Sequence, residues 1–177
     1  MGKGCEDHSF YPLLQPMRES NVAFQDFVSS SWKFKLFLLR SLPMAWLAGL
    51  SVKTLNETHC AVQFRYKYWV KNPFRSVYFA VLAMAAELST GVLAMREIYG
   101  RKPGVSMLVV GMEAEFMKKA TGTITFTCPC GESFKEKVQE AVDSNMPQMV
   151  VCHSVGTDEQ GDEVAKFKLV WSFKAKS

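Results

Sequence analysis

The chain has 177 residues, of which 48% are hydrophobic and 21% charged, and its net charge is +4. That length suits one domain, and the balance is that of a globular chain. So small a positive excess, with no tight Lys/Arg run and no interleaved aromatics, argues against a nucleic-acid surface.

Residues 1–19 show no period and contain Pro12 and Pro16, so they read as an irregular arm. Gly2 and Cys5 would suit acylation, but Glu6 stands where the myristoylation pattern takes Ser or Thr. A single domain is expected over 20–177, opening with a helical segment, 20–42. Phe24, Phe27 and Val28, then Phe34, Phe37, Leu38 and Leu39, carry the helical spacing; the Ser29–Ser31 run is a candidate break, and Pro43 ends the pattern. This apolar, aromatic segment would suit a cover over an open pocket face.

From Leu50 the period changes to two. Cys60, Val62, Phe64, Tyr66 and Tyr68 alternate with Gln63, Arg65 and Lys67, as in a half-buried strand entered by a turn at Asn56-Glu57. Asn72 and Pro73 stop it, and either Asn72 or Ser76 is suited to cap the next helix. That helix should run to Tyr99 and end at Gly100, a length of roughly 35–40 Å at 1.5 Å per residue. Being apolar almost all round, it should be buried on most sides. It is long enough to span a bilayer, but a central Glu, a Ser-Thr pair and many alanines weigh against insertion, so no membrane span is expected.

Beyond Pro103-Gly104 the pattern predicts strands over 105–118 and 121–128, a short helix over 132–143, and a hairpin of 148–157 with 163–174. Phe167, Leu169, Trp171 and Phe173 share one face of the last strand. The order is helical segment, two strands, one long apolar helix, four strands. A sheet that must cover one apolar helix curls around it, which is an α+β solution with a single core.

Residues 76–95 hold one side chain that is charged at neutral pH, Glu87, near their middle. On a helix its neighbours are Ala80, Ala83, Met84, Thr90, Gly91 and Ala94, most of them small. Such a stripe leaves room for a backbone or a ligand. Desolvation should raise the carboxyl pKa toward neutrality, where a general base works best. Amides at the helix start, near Ser76–Ala80, would suit a developing oxyanion. The competing reading ties Glu87 to a buried cation or backbone group.

Lys118 and Lys119 read either as contacts for the phosphates of a ligand or as a charged turn; Arg75 either holds a phosphate or carboxylate or pairs with a partner chain. Cys5, Cys60, Cys128, Cys130 and Cys152 are an odd number with no secretory leader before them, so they read as free thiols in a reducing, cytoplasmic setting. Cys128-Pro-Cys130 with Cys152-His153 lacks zinc-ligand spacing, so no metal is expected.

The stretch NPFRSVYFAVLAMAAE, in this order of elements, resembles the hotdog-fold acyl-CoA thioesterase superfamily, in particular a branch related to the phenylacetic-acid-pathway type. The resemblance covers 43–174. Asn72 matches the family's Asn, Ser76 stands where Thr is usual, Arg75 where Gly is usual, and Glu87 falls at the Asp position. Tyr78-Phe79-Ala80 replaces His-Gly-Gly. The resemblance implies a curved antiparallel sheet wrapped around a central helix, a homodimer or higher homo-oligomer, and an acyl site between protomers. It further implies Glu87 as base or nucleophile, Asn72 placing water, and the Phe79 and Ala80 amides polarising the carbonyl. Ser76, Tyr78, Met84 and Thr90 would line the substrate. The expectation is a thioesterase acting on acyl-CoA or an acyl carrier, with coenzyme A entering only as substrate. The loss of His-Gly-Gly favours the alternative, a non-catalytic hotdog protein that binds an acyl or other apolar ligand.

Overall fold

The computed structural model describes residues 21–176, so the arm expected over 1–19, with Cys5, lies outside the described residues. Three helices come first: α1 (Asn21–Ser29), α2 (Ser31–Ser41) and α3 (Pro43–Ala48). The break falls at Ser30, inside the serine run. Pro43 ends the helical pattern of α2 and also opens α3, because a first-turn residue needs no amide partner. Gly49, at φ 79°, closes α3 in the left-handed conformation.

β1 (Ser51–Leu55) pairs with β2 (Cys60–Arg65). The alternation in sequence continues to Tyr68, but β2 ends three residues earlier. Its other partner, β4 (Thr123–Cys128), begins opposite Arg65, and the Tyr66 amide then finds only the Gly122 carbonyl, at 2.7 Å. Without a ladder to extend, the chain turns through a 3-10 segment, Tyr68–Val70, that buries Val70 and leaves Tyr68 and Trp69 in solvent.

The long helix, α4, spans Phe79–Ile98. It starts later than either cap expected from sequence. Asn72 closes a loop instead: its Oδ1 accepts from the amides of Phe74 (2.9 Å) and Ser76 (3.2 Å), and its Nδ2 donates to Ser76 Oγ (2.9 Å) and the Val77 carbonyl (3.2 Å). The amides of Val77 and Tyr78 then bond to the carbonyls of Ala120 and Val70, which holds the chain extended up to the helix.

After α4 come β3 (Val105–Phe116), β4, α5 (Gly131–Ser144), β5 (Gln148–Thr157) and β6 (Glu163–Ala175). The six strands form one antiparallel sheet in the order β1-β2-β4-β5-β6-β3. α4 packs against five of them, β2 to β6. Five strands spaced about 4.8 Å apart are far wider than the roughly 10 Å diameter of a helix, so the sheet must curl to keep them all in contact. Phe167, Leu169, Trp171 and Phe173 of β6 all face the core as their alternation requires, and α5 extends that core by setting Phe134 edge-on to Phe173. α1 lies over β1 and the end of α4, with Phe24 stacked on Tyr99.

Polar ties fix the position of α4. Ser89 and Ser154, both fully buried, share a hydrogen bond of 2.7 Å between α4 and β5. Trp171 Nε1 donates to Thr90 Oγ1 at 3.0 Å, which joins β6 to the same turn. At the far end, buried Arg96 is paired with buried Glu97 and reaches Glu57 at 3.0 Å. Among the described residues α4 is the one helix long and apolar enough to cross a membrane, and most of it is buried in this core.

Candidate functional site

α4 is a core helix with one face left partly open. Between Ala80 and Ala94 every residue is buried except Ala80, Ala83, Met84 and Glu87. These four share one side of the helix by their spacing. Glu87 therefore lies at the inner end of a half-covered strip, and the short side chains of Ala80 and Ala83 keep it shallow.

Burial pushes the Glu87 carboxyl above its ordinary range. Among the described residues no hydrogen bond or ion pair reaches that carboxylate. The buried cation of α4, Arg96, is engaged elsewhere. The Glu87 carboxylate leans toward Gly91: a Cβ placed on Gly91 would stand 3.3 Å from Oε1 and 3.5 Å from the ring of Trp171. A methyl group on residue 91 would crowd the acid, while its contact with the indole would be an ordinary one. Thr90 is engaged from two directions, donating to the Glu87 carbonyl at 2.9 Å and accepting from Trp171.

The start of α4 has no side-chain cap, and among the described residues the Phe79 and Ala80 amides have no acceptor. They are two of the orphan donors every helix start presents, at its positive end. A cavity of ≈ 430 Å³ opens beside them, and its walls are mostly apolar. Phe74, Tyr78, Phe79 and Leu82 line it together with Phe116, the last residue of β3, and Met117, Lys118 and Lys119 that follow. Asn72 and Ser76 also line it.

The structure thus gathers Asn72, Ser76, Tyr78, Phe79, Lys118 and Lys119 around one cavity. Arg75, exposed and at φ 58°, is in the same loop but does not line it. Met84 and Glu87 lie further along α4, outside the cavity, and Thr90 is buried beyond them. Asn72 has two donors and two acceptor positions, and all four are used within its loop. Lys118 donates to Asp158 (2.6 Å) and Asp162 (2.8 Å), and the bond to Asp158 first of all raises its pKa. Lys119 is exposed on the rim. The N-terminal helices, suited by composition to cover a pocket, contribute nothing to the cavity wall. Leu82, Phe116 and Met117 are lining residues that sequence did not single out; Phe116 and Met117 carry no signal beyond preceding the lysine turn.

The cysteines form a separate cluster. Cys60 and Cys128 face each other across β2 and β4, and Cys152 lies beside them. At Cys128 the Cys130 thiol pulls the pKa down while Cys152 and burial push it up, leaving it at about 12. Burial, then the nearby Cys128, raises Cys60 further. The Cys60 and Cys128 thiols therefore stay protonated and weakly nucleophilic at neutral pH. His153 points to the opposite, exposed face from Cys152. Among the described residues no group of three or more His, Cys, Asp or Glu is placed to hold a metal.

One antiparallel sheet curled around a single apolar helix, with a cavity at that helix's uncapped start, defines the hotdog fold. The chain belongs to the family described as a domain of unknown function, DUF4442, whose model matches residues 30–173. Solved structures agree on the fold. OLEI01261 from Chlorobaculum tepidum, of unknown function, superposes with a TM-score of 0.73 over 90% of this chain and 99% of its own, at 10% identity. PA5026 from Pseudomonas aeruginosa, of unknown function and described as a probable thioesterase, gives 0.70 over 82% and 96%, at 20% identity. The thioesterase HI1161 from Haemophilus influenzae gives 0.60 over 82% and 91%, at 11% identity. No curated protein sequence gives a significant match.

Proposed function

We propose that this protein hydrolyses an acyl thioester, carried by coenzyme A or an acyl carrier, with Glu87 as the base. One observation carries the reading: an acid with raised pKa and no cation partner among the described residues lies on the open strip of a helix whose first amides are unpaired beside an apolar cavity. An acyl chain suits the apolar walls. The Phe79 and Ala80 amides would stabilise the negative oxygen that forms when water attacks the carbonyl. Glu87 would take the proton from that water and return it to the departing thiol. Ser76 and Tyr78 would border the thioester, Met84 and Thr90 the strip beyond it, and Lys119 and Arg75 would meet the phosphates of coenzyme A. Asn72 would act by holding the loop that shapes the cavity, since water placement would require it to give up one of its bonds.

Seven residues separate Ala80 from Glu87, about 10 Å along the helix axis. The carboxyl leans toward Gly91, away from Ala80. One thioester carbon therefore reaches both groups more readily if they come from two chains. A homodimer that sets two α4 helices side by side brings Glu87 of one protomer to the amides of the other. β3 is suited to make that dimer. It is an edge strand of 12 residues whose outer face exposes Leu108, Val110 and Met112, and so long an open edge invites pairing.

The test is an acyl-CoA panel of graded chain length with the wild type and Glu87→Gln. Thioester turnover that depends on Glu87 supports the reading; turnover that survives the substitution removes Glu87 from the mechanism. One feature favours a second reading, a non-catalytic acyl-binding protein: Phe79, 56% exposed at the cavity, adds bulk where a thioester must approach the backbone. Absent turnover together with copurified lipid in mass spectra would select it.

A further inference from the structure

α2 has two apolar faces. Phe34 and Leu38 point into the core. Trp32, Leu36 and Leu39, spaced i, i+4, i+7, share the opposite side and are 67%, 51% and 44% exposed. Lys33 and Arg40 flank this outward stripe on one side and Lys35 on the other. α3 follows directly and exposes Met44 and Trp46. A surface helix ordinarily turns polar residues outward, so an outward apolar stripe between basic rows needs an occupant.

Charge selects among the candidates. No Asp or Glu occurs between Asp26 and Glu57, while Lys33, Lys35, Arg40 and Lys53 do. A second copy meeting this face across a two-fold axis would set the same lysines against each other. Anionic headgroups complement them instead. Tryptophan favours the boundary between headgroup and hydrocarbon, and lysine stems lie along apolar surface while their ammonium groups stay in the polar layer. With 11 residues, α2 is far too short to span a bilayer.

We propose that the outward face of α2, continued by α3, rests in the headgroup layer of an anionic phospholipid bilayer as a reversible peripheral contact. The contact lies near the cavity. α3 packs against the 3-10 segment with exposed Tyr68 and Trp69, and Val70 of that segment binds the Tyr78 amide at the cavity wall. A guest drawn from the bilayer would have a short apolar path to the start of α4. The proposal does not depend on Glu87 or on hydrolysis.

The test is flotation of the full chain with vesicles of phosphatidylcholine alone or mixed with phosphatidylserine. Wild type should float with the mixed vesicles and much less with phosphatidylcholine. Raising salt to about 1 M, which shortens the screening length to roughly 3 Å, should release it. Leu36→Glu should weaken binding at least tenfold with an unchanged melting temperature, because the side chain is exposed. Replacing Lys33 and Lys35 by Ser should cost about fivefold per lysine and should abolish the preference for phosphatidylserine. The lysine pair keeps the test open if Leu36→Glu folds poorly. Failure of the wild type to float, or equal flotation of all variants, overturns the proposal. So does a lipid-free mass that halves in Leu36→Glu, which would assign the face to a second copy.

Discussion

Glu87 Oε1 lies against Gly91, one turn further along α4, so closely that a Cβ on residue 91 would stand 3.3 Å away. The same Cβ would touch Trp171 at 3.5 Å. Gly91→Ala should therefore move the carboxylate by a few tenths of an ångström and leave the helix intact. Replacing a mid-helix Gly by Ala also favours the helix by about 1 kcal/mol, which offsets the tight contact. The expected result is a melting temperature within a few degrees of wild type and a thioester turnover lowered about tenfold. Unchanged turnover would show that the position of the Glu87 carboxylate does not matter to the reaction.

Glu87→Gln separates chemistry from stability. As the base is lost, kcat/KM should fall roughly 10²- to 10⁴-fold. Stability should move the other way. The folded pKa is raised, so the folded chain holds its proton up to a higher pH than the unfolded chain, whose carboxyl titrates near 4.3. The wild type accordingly loses stability as pH rises through that window. Melting curves should show Glu87→Gln more stable than wild type at neutral pH, with the difference vanishing below about pH 4. An equal or lower melting temperature at neutral pH would mean that a favourable partner holds the carboxylate.

Asn72→Ala removes four hydrogen bonds that close the loop before α4. Each is worth about 0.5–1.5 kcal/mol net, and solvent replaces part of them, so a loss of about 2 kcal/mol is expected. For a chain of this size that lowers the melting temperature by roughly 4–8 °C. Asn72→Asp keeps both accepting bonds and should recover about half the loss. A purely catalytic Asn would lower turnover with no change in melting temperature.

The open edge of β3 predicts a dimer. Sedimentation should give twice the chain mass. Leu108→Lys combined with Val110→Lys, which adds charge to the exposed apolar edge, should yield a monomer with the same circular dichroism. Turnover should fall with the mass if the Phe79 and Ala80 amides and Glu87 meet across two chains. Activity retained in a clean monomer would place the whole reaction within one protomer.

Most elements were legible because their periods are driven by burial. Phe167, Leu169, Trp171 and Phe173 alternate in sequence and in the core, and most of the apolar residues of α4 are buried as their composition demands. Where the structure departs from the pattern, a distant partner is responsible. Tyr66 and Tyr68 continue the alternation of β2, but β4 has no residues left to pair with them. Asn72 has the chemistry of a helix cap, yet the Ala120 and Val70 carbonyls hold the next amides extended and postpone α4 to Phe79.

The candidate site divides in the same way. Sequence alone determined that one acid sits among small side chains at helical spacing, because that depends on residues close together in the chain. Only the tertiary structure decided that Arg96 is taken up by Glu97 and Glu57, that Trp171 comes to rest beside Gly91, and that Phe116 and Met117 wall the cavity. Those neighbours are brought together by the curl of the sheet, and their spacing along the chain carries no trace of it.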